Sequence, residues 1–181
     1  TGVRVGRGPV VYDSGDYAQA LELAVRAADV PSFRSQQEAA RAQGRLLGLG
    51  LVVFNEGCGT PPFEGARVSL GAEGRFEIAT GATPQGQGHV TTLAQIAAEE
   101  LGVTPGQFEV ICGDTGAIER GIGTFGSRSV MLAGTAVGLA ARRLREQLLQ
   151  LAAERLEVSP EDLDITPEGI SVRGAPSRRL T

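Results

Sequence analysis

The sequence predicts an α+β fold in which helices pack on a mixed or antiparallel sheet. Stretches with apolar residues at helical spacing are interleaved with stretches in which apolar and polar residues alternate, as in half-buried strands. Short turns join several of the alternating stretches, which favours hairpins over the crossover connections of a doubly wound parallel sheet. The 181 residues fit one domain, with a helical lead-in over 1–45 and an α+β core over 46–181.

The lead-in is predicted to contain two helices. Residues 1–13 are rich in Gly, Pro and Val without periodicity, and they indicate an extended segment. Ser14 is a suitable N-cap for a first helix over 15–29. A second helix over 31–43 would end at Gly44, because glycine adopts the left-handed conformation at little cost.

The core is predicted to alternate strands and helices along the chain. It begins with a β-like run over 46–56, followed by a loop at 59–63 whose paired prolines cannot join a strand ladder. The elements expected after this loop are a hairpin over 66–80, a helix over 88–101, a strand over 108–112, a long helix over 128–156 and a hairpin over 163–173.

An internal similarity indicates a duplicated helix–turn–strand unit. Residues 101–110 and 156–165 each contain a helix end, a Thr or Ser N-cap, a proline that begins a short turn, and then a strand. A common way of leaving a helix would give the same pattern. We favour a duplication because the two segments match position by position.

Composition excludes several classes of protein. The net charge is −4, aromatic residues make up 4% and Trp is absent, so phosphate-backbone binding and base stacking are both disfavoured. No apolar run approaches the roughly 20 residues that span a bilayer, and no signal peptide is visible. Cys58 and Cys112 lack metal-ligand spacing, and we expect buried thiols in a reducing compartment, the cytoplasm. Because the chain begins with Thr1, we expect it to be part of a longer protein.

Two glycine-rich loops that precede helices, residues 81–89 and 113–129, are the strongest candidates for a binding site. Their glycines let backbone N–H groups approach a ligand, and the helix N-termini that follow carry partial positive charge. Gln, Thr and Ser side chains add neutral hydrogen-bonding groups. The pattern predicts a cradle for a polar, anionic cofactor. Both loops should then lie side by side, and their two helices should start at the same end of the domain.

Individual side chains in these loops have more than one plausible role. His89, the single histidine, is expected to form a hydrogen bond at a helix start rather than to act in catalysis. Ser127 and Ser129 are expected to cap a helix, which is compatible with a cofactor contact. Arg128 is the strongest phosphate-binding candidate, with a surface salt bridge as the alternative. Glu56 and Glu64 flank the loop with the paired prolines, and we expect them to be solvated at the surface, with paired-carboxylate chemistry as the alternative.

Residues 121–126 also match the pattern GxGxxG after a predicted strand and before a predicted helix. Alone, this match is a weak signal for dinucleotide binding. The complete Rossmann pattern requires a later strand that ends in an acidic residue, and here a long arginine-bearing helix follows instead. A nucleotide-binding domain therefore stays open as an alternative.

The two loops resemble the molybdopterin-binding part of the molybdenum hydroxylases, the family of xanthine dehydrogenase, aldehyde oxidase and aerobic carbon monoxide dehydrogenase large subunits. The segments that carry the resemblance, in chain order, are 12–17, 59–65, 85–92, 113–115, 121–129 and 159–163. They follow the family's order and extend over nearly the whole chain, so the set is far more specific than any single motif. The Gln-Gly-Gln-Gly-His form of residues 85–89 is closer to the carbon monoxide dehydrogenase branch.

The resemblance implies that these segments line the pterin of the molybdenum cofactor. On one side, the residues implied to contact the pterin–dithiolene or its phosphate-bearing tail are Gln85, Gly86, Gln87 and Gly88. On the other side, the residues implied to embrace the pterin are Thr124, Phe125, Gly126, Ser127, Arg128 and Ser129. The cofactor's dithiolene sulfurs hold the metal, so the resemblance implies neither a protein metal ligand nor a catalytic residue here. The cofactor is expected as molybdopterin or its cytosine dinucleotide.

The chain departs from the family at Gly116 and Glu119, where an acid and a proline are frequent. It also lacks the family's catalytic glutamate, which lies in a later segment, and an earlier Gly-rich segment near the metal. Iron–sulfur clusters and FAD are expected only in other domains or subunits.

We therefore expect one part of an oligomeric molybdenum-dependent oxidoreductase, without membrane or nucleic-acid partners. The intact enzyme would oxidise a purine, an aldehyde, an N-heterocycle or carbon monoxide, with water as the oxygen source. The 181-residue chain alone is expected to be inactive. A non-catalytic interaction module is the second alternative.

Overall fold

The computed structural model describes residues 3–4, 11–12 and 14–181. The chain separates into two compact units, Thr1–Asn55 and Glu56–Thr181. Among the described residues, no helix combines the length and the apolar character needed to cross a membrane.

The first unit contains two short strands and two helices. Strands β1 (Val3–Arg4) and β2 (Val11–Tyr12) pair antiparallel, and the rest of the extended segment predicted over 1–13 lies outside the described residues. Helix α1 spans Tyr17–Ala27 and helix α2 spans Val30–Ala42. Both predicted helices are thus confirmed.

The N-cap of α1 differs from the prediction. Asp16, not Ser14, caps this helix, because the Asp16 carboxylate accepts a hydrogen bond of 2.9 Å from the backbone N–H of Gln19. Gly44, with φ +73°, follows the end of α2 and donates its N–H to the carbonyl of Arg41, as expected for a glycine stop.

The strand predicted over 46–56 is wrong for this structure. These residues form no regular element, and the side chains of Leu46, Val52 and Phe54 are 85%, 83% and 80% exposed. A strand forms only when its backbone groups pair with a neighbouring strand. No described strand of the chain pairs with this run, so its β-like composition has no consequence for the local structure.

The second unit contains a mixed three-stranded sheet. Strands β3 (Ala66–Leu70) and β4 (Phe76–Thr80) form the predicted hairpin, and β5 (Phe108–Cys112) lies parallel to β4 on its other side. Helix α3 (His89–Leu101) connects β4 to β5. The sheet is thus mixed, which is one of the two arrangements that the α+β prediction allowed.

The long predicted helix begins with a π-helical turn at Ser129–Gly134 and continues as α4 (Thr135–Leu156). A second, antiparallel sheet follows, with strands β6 (Leu163–Thr166), β7 (Gly169–Val172) and β8 (Ala175–Leu180) in sequence order. The sequence predicted the β6–β7 hairpin but missed β8. Both predicted helix–turn–strand segments are present, with single 3₁₀ turns at Pro105–Gln107 and Pro160–Asp162.

The main hydrophobic core lies between the first sheet and helices α3 and α4. Small residues let these two helices approach closely, since Ala97 and Ala141 are fully buried. Ile78 from β4 and Leu101 at the end of α3 are fully buried in the same core. The core therefore fixes α3 against the strand that precedes it, and this sets the direction in which the N-terminus of α3 points.

A surface ion pair also joins α3 to α4. Arg142 donates two hydrogen bonds of 2.7 and 2.6 Å to the carboxylate of Glu100, and this contact lowers the pKa of Glu100 from its usual 4.5. A carboxylate with a lowered pKa in the folded protein stabilises the fold above pH 4.5, and this contribution is lost as the pH falls through the lowered pKa.

We expect the Glu100→Gln variant to be slightly less stable than the wild type at pH 7. The difference should vanish at the acid end of a pH series, where Glu100 is protonated in both states. Urea unfolding of both proteins at a series of pH values measures this. A stability difference that persists unchanged at the acid end would contradict the assignment.

Candidate functional site

The two glycine-rich loops leave the same edge of the mixed sheet. Strands β4 and β5 are parallel neighbours, with Thr80 paired to Cys112, so their carboxyl ends lie side by side. Residues 81–88 follow β4 and lead into α3, while residues 113–128 follow β5 and lead into the π-helical turn. Ligand sites of α/β sheets commonly lie at the carboxyl ends of parallel strands. The topology therefore brings both predicted loops together.

At their base the two loops touch through glycine backbones. A Cβ atom built on Gly81 would lie 2.6 Å from the Cα atom of Gly121, and a Cβ on Gly121 would lie 2.6 Å from the Cα of Gly81. Neither position has room for any side chain. The first glycine of the GxGxxG pattern is therefore required for packing between the two loops.

An open cleft of about 500 Å³ lies between the loops. Gln85 Nε2 donates a hydrogen bond of 3.3 Å across it to the carbonyl of Thr124. This contact and the shared cleft confirm the expectation that the two loops lie side by side. The residues that line the cleft are Gln85, Gln87, His89, Thr92, Thr124, Phe125, Gly126, Ser127, Ser129 and Val130.

Two helix starts face this cleft. Helix α3 begins at His89 after Gly88, which has φ +80° and no side chain to cap the helix. The π-helical turn begins at Ser129, also without a side-chain cap. The first N–H groups of a helix have no partner within the helix, and they carry partial positive charge. Both expected helices thus start at the same end, and each offers hydrogen-bond donors to an anion.

His89 is buried at this site with one unsatisfied atom. The residue is 5% exposed, and its Nδ1 has no hydrogen-bond partner among the described residues. Buried polar atoms are nearly always paired, so an unpaired one needs an explanation. The predicted hydrogen bond of His89 to a neighbour is thus not present at Nδ1.

The backbone of the second loop is held in an uncommon conformation beside the cleft. Ser127 has φ +49° and the preceding Gly126 has φ +56°. A non-glycine residue rarely adopts this region, and such strain clusters at ligand sites. Two hydrogen bonds from the 59–60 segment hold this conformation. Gly59 donates its N–H to the Ser127 carbonyl at 3.1 Å, and Thr60 Oγ1 donates to the Gly126 carbonyl at 3.0 Å.

Arg128 is directed into the protein rather than into the cleft. The residue is 1% exposed, and its guanidinium group donates to Glu64 at 3.1 Å and to the carbonyl of Gly123 at 2.7 Å. It also donates to the carbonyls of Thr60, at 2.8 Å, and Phe63. The ion pair is thus buried, not the surface salt bridge that the sequence offered as an alternative.

Glu64 is the residue of this site that sequence reasoning misjudged. Its side chain is 1% exposed instead of solvated. Besides pairing with Arg128, its carboxylate accepts the backbone N–H groups of Ile122, Gly123 and Gly65 at 2.9 to 3.2 Å. The only signal in the sequence was the position of Glu64 within the 59–65 segment that resembles the family.

These contacts bear on the dinucleotide alternative. The N–H groups of Ile122 and Gly123 are directed to a carboxylate, so this part of the GxGxxG loop offers no donors to a phosphate. The long helix after the loop leads to β6 in another sheet, which is not the connection of a Rossmann unit. The geometry gives the alternative no support.

The two cysteines are free, and the expectation of buried thiols is wrong for one of them. Cys58 is exposed, whereas Cys112 is partly buried at the end of β5. Burial raises the pKa of the Cys112 thiol. Among the described residues, no three His, Cys, Asp or Glu side chains lie close enough together to hold a metal ion.

The cleft as a whole is suited to a polar group with negative charge. Its side-chain donors are neutral amides and hydroxyls, two helix starts add backbone donors, and His89 Nδ1 lacks a partner. The aromatic ring of Phe125 and the side chain of Val130 add apolar contact area. Such a lining fits a flat heterocycle with a phosphate-bearing tail, as in molybdopterin.

Comparison with known proteins agrees with this chemistry. Residues 23–181 match the family of the molybdopterin cofactor-binding domain. The carbon monoxide dehydrogenase large chain of Hydrogenophaga pseudoflava is 40% identical over an alignment of 156 positions, which covers 78% of this chain and 19% of that protein. The nicotine 6-hydroxylase large subunit of Paenarthrobacter nicotinovorans is 37% identical over an alignment of 187 positions, which covers 95% of this chain and 22% of that protein.

Solved structures give the same result. The Cu,Mo-CO dehydrogenase in its carbon monoxide reduced state aligns with a TM-score of 0.61 and 33% identity, over 94% of this chain and 24% of that one. The chain belongs to the molybdopterin cofactor-binding domain family. It spans about a fifth of the length of the curated relatives named above.

Proposed function

We propose that this chain, over residues 1–181, is one molybdopterin-binding domain of a larger molybdenum-dependent oxidoreductase. The observation that carries the proposal is the cleft between residues 85–88 and 124–129, which combines two helix starts with neutral hydrogen-bonding side chains. The family match over residues 23–181 extends across both compact units, which supports assigning the whole chain to one domain.

The residues that would hold the cofactor divide by chemistry. Amide groups of Gln85 and Gln87 would hydrogen-bond the pterin or its phosphate tail, and Gly86 and Gly88 would let the backbone approach it. From the facing loop, hydroxyls of Thr124, Ser127 and Ser129 would donate or accept, while Phe125 and Gly126 would contact the ring system.

The bound cofactor would supply a molybdenum redox centre that oxidises a carbon atom with oxygen from water. The share of this chain is to bind and orient, which is the usual protein contribution to cofactor chemistry. The backbone N–H groups at the two helix starts would stabilise the negative charge of the tail, and the loops would not need to rearrange to do so. The hydrogen bonds of Gly123 to Glu64 and Arg128 would keep one wall of the cleft fixed while the cofactor is bound.

For the intact enzyme we propose a substrate among the purines, aldehydes, N-heterocycles and carbon monoxide. The names of the relatives, carbon monoxide dehydrogenase and nicotine 6-hydroxylase, support small carbon centres of this kind. The cofactor would be molybdopterin or its cytosine dinucleotide. Iron–sulfur and flavin groups would reside in other domains or subunits, in an oligomer in the cytoplasm, where the two free thiols would stay reduced.

We expect Gln87→Ala in the full-length enzyme to weaken cofactor retention about 2- to 10-fold, because one hydrogen bond contributes roughly 0.5–1.5 kcal/mol. Pterin fluorescence and molybdenum content after gel filtration measure the retained cofactor. Arg142→Ala is the matched control, since Arg142 lies on the body of α4, where it pairs with Glu100, and is not part of the cleft lining. Equal cofactor loss in both variants, or none in either, would count against the assigned cleft.

A further inference from the structure

We propose that the buried Glu64–Arg128 pair is a positioning device that holds residues 124–129 in the shape required for cofactor binding. Both residues lie outside the lining of the cleft, so they would act through the backbone of the loop. The proposal rests on the proposed function for the identity of the ligand. The fixation of the loop by the pair is testable without any ligand.

The guanidinium group of Arg128 binds three backbone carbonyls in two segments of the chain. Arg128 donates through Nε to the carbonyl of Thr60 at 2.8 Å and through Nη2 to the carbonyl of Phe63. Through Nη1 it donates to the carbonyl of Gly123 at 2.7 Å. Arg128 itself precedes the π-helical turn, so the start of that helix is anchored to both segments.

Glu64 binds the same loop as Arg128, and we call the two side chains with their hydrogen bonds to residues 122 and 123 the clasp. Its carboxylate accepts from Gly123 N at 2.9 Å and from Ile122 N at 3.2 Å. Gly123 thus gives its N–H to Glu64 and its carbonyl oxygen to Arg128. Both polar groups of one peptide segment are fixed by the same ion pair.

The 59–64 segment, which Arg128 anchors, also holds the positive-φ backbone of Gly126 and Ser127 beside the cleft. Gly59 and Thr60 donate to the carbonyls of Ser127 and Gly126, the two consecutive residues with positive φ. If the 59–64 segment moved, these two residues would lose the bonds that favour their strained conformation. The pair is therefore coupled to the wall of the cleft through direct hydrogen bonds.

Burial makes this coupling strong. Both side chains are 1% exposed, and a buried charge that loses its partner is much more costly than an exposed one. A conservative change on either side therefore disturbs every bond that the clasp holds. The surface pair Arg67–Glu77, at 2.7 Å and with side chains 53% and 34% exposed, offers a matched carboxylate that has no such network.

The test compares Glu64→Gln with Glu77→Gln in the full-length protein. Two quantities are measured under native conditions: amide hydrogen exchange in peptides covering Ile122 and Gly123, and the rate of pterin release. For Glu64→Gln we expect exchange at these amides and pterin release each to increase at least about 10-fold, because an amide cannot accept from both N–H groups and Arg128 at once. Glu77→Gln should change neither.

The outcomes separate a positioning role from a merely structural one. Lower resistance to urea with unchanged native-state exchange at residues 122–123 would overturn the proposal. Faster exchange with unchanged pterin release would overturn it too, because the clasp would then be irrelevant to the ligand. Should Glu64→Gln fail to fold, the Arg128→Lys variant is measured in the same way and by the same criteria. This variant keeps the positive charge but loses the planar guanidinium donors.

Failure of the proposed function gives a different pattern. If the wild-type protein retains no pterin at all, the cofactor assignment fails whatever the exchange data show. The exchange of the Ile122 and Gly123 amides then still decides whether the pair fixes the loop.

Discussion

Replacing Arg128 by alanine is expected to lower the free energy of unfolding by about 3–5 kcal/mol. The change leaves the Glu64 carboxylate buried without its counter-charge, and it removes the donor of the Thr60, Phe63 and Gly123 carbonyls. It also removes the guanidinium group that lies 4.8 Å from the centre of the Phe125 ring. Urea unfolding monitored by circular dichroism measures the loss.

Arg67→Ala is the matched control for this prediction. Arg67 pairs with Glu77 on the surface of the β3–β4 hairpin, and exposed pairs contribute roughly 0.2–1 kcal/mol. A loss for Arg128→Ala no larger than that for Arg67→Ala would mean that the buried pair is not an important stabilising contact. It would also remove the energetic basis for a clasp.

Adding a single methyl group at Gly81 is expected to lower the free energy of unfolding by about 1–3 kcal/mol. The new Cβ atom would lie 2.6 Å from the Cα atom of Gly121 and 2.6 Å from Glu64 Oε1. Backbone at this distance cannot rotate away as a flexible side chain can, so the two loops must separate. Cofactor retention should fall as well, because the two loops that form the walls of the cleft are in contact at Gly81 and Gly121.

The matched control for Gly81→Ala is Gly106→Ala, where the added Cβ would meet no atom within 4 Å. Its unfolding midpoint should stay close to that of the wild type. The Gly121→Ala variant and the Gly81→Ala/Gly121→Ala double variant form a cycle with the wild type. Because both methyl groups force the same two backbones apart, the losses should be less than additive. Strict additivity would show that the two glycines are not in contact.

Much of the fold follows from local patterns in the sequence. Helices α1, α2 and α3, the β3–β4 hairpin and β5 lie within a few residues of their predicted bounds. Apolar spacing, caps and turn residues act over short distances along the chain, so they can be identified without the tertiary structure. The same holds for the two glycine-rich loops, which local composition was enough to select.

Local patterns fail where a partner decides the outcome. The run at 46–56 has the composition of a strand, but no described strand pairs with it. Strand β8 has the reverse character, with a proline and two arginines in Ala175–Leu180, and it forms because β7 offers an edge. Hydrogen-bond pairing between strands is a property of two segments, and one segment cannot reveal it.

At the site, the sequence was enough to select the two loops, whose amide and hydroxyl side chains line one cleft. Only the tertiary structure decided the roles of Glu64 and Arg128. Both are charged residues that composition places at the surface, yet both are buried because the fold brings them within 3.1 Å of each other although they are 64 positions apart in the chain. A charged side chain that is removed from water needs a partner of opposite charge, because an unpaired buried charge is very costly. No local sequence pattern encodes where in the chain that partner lies.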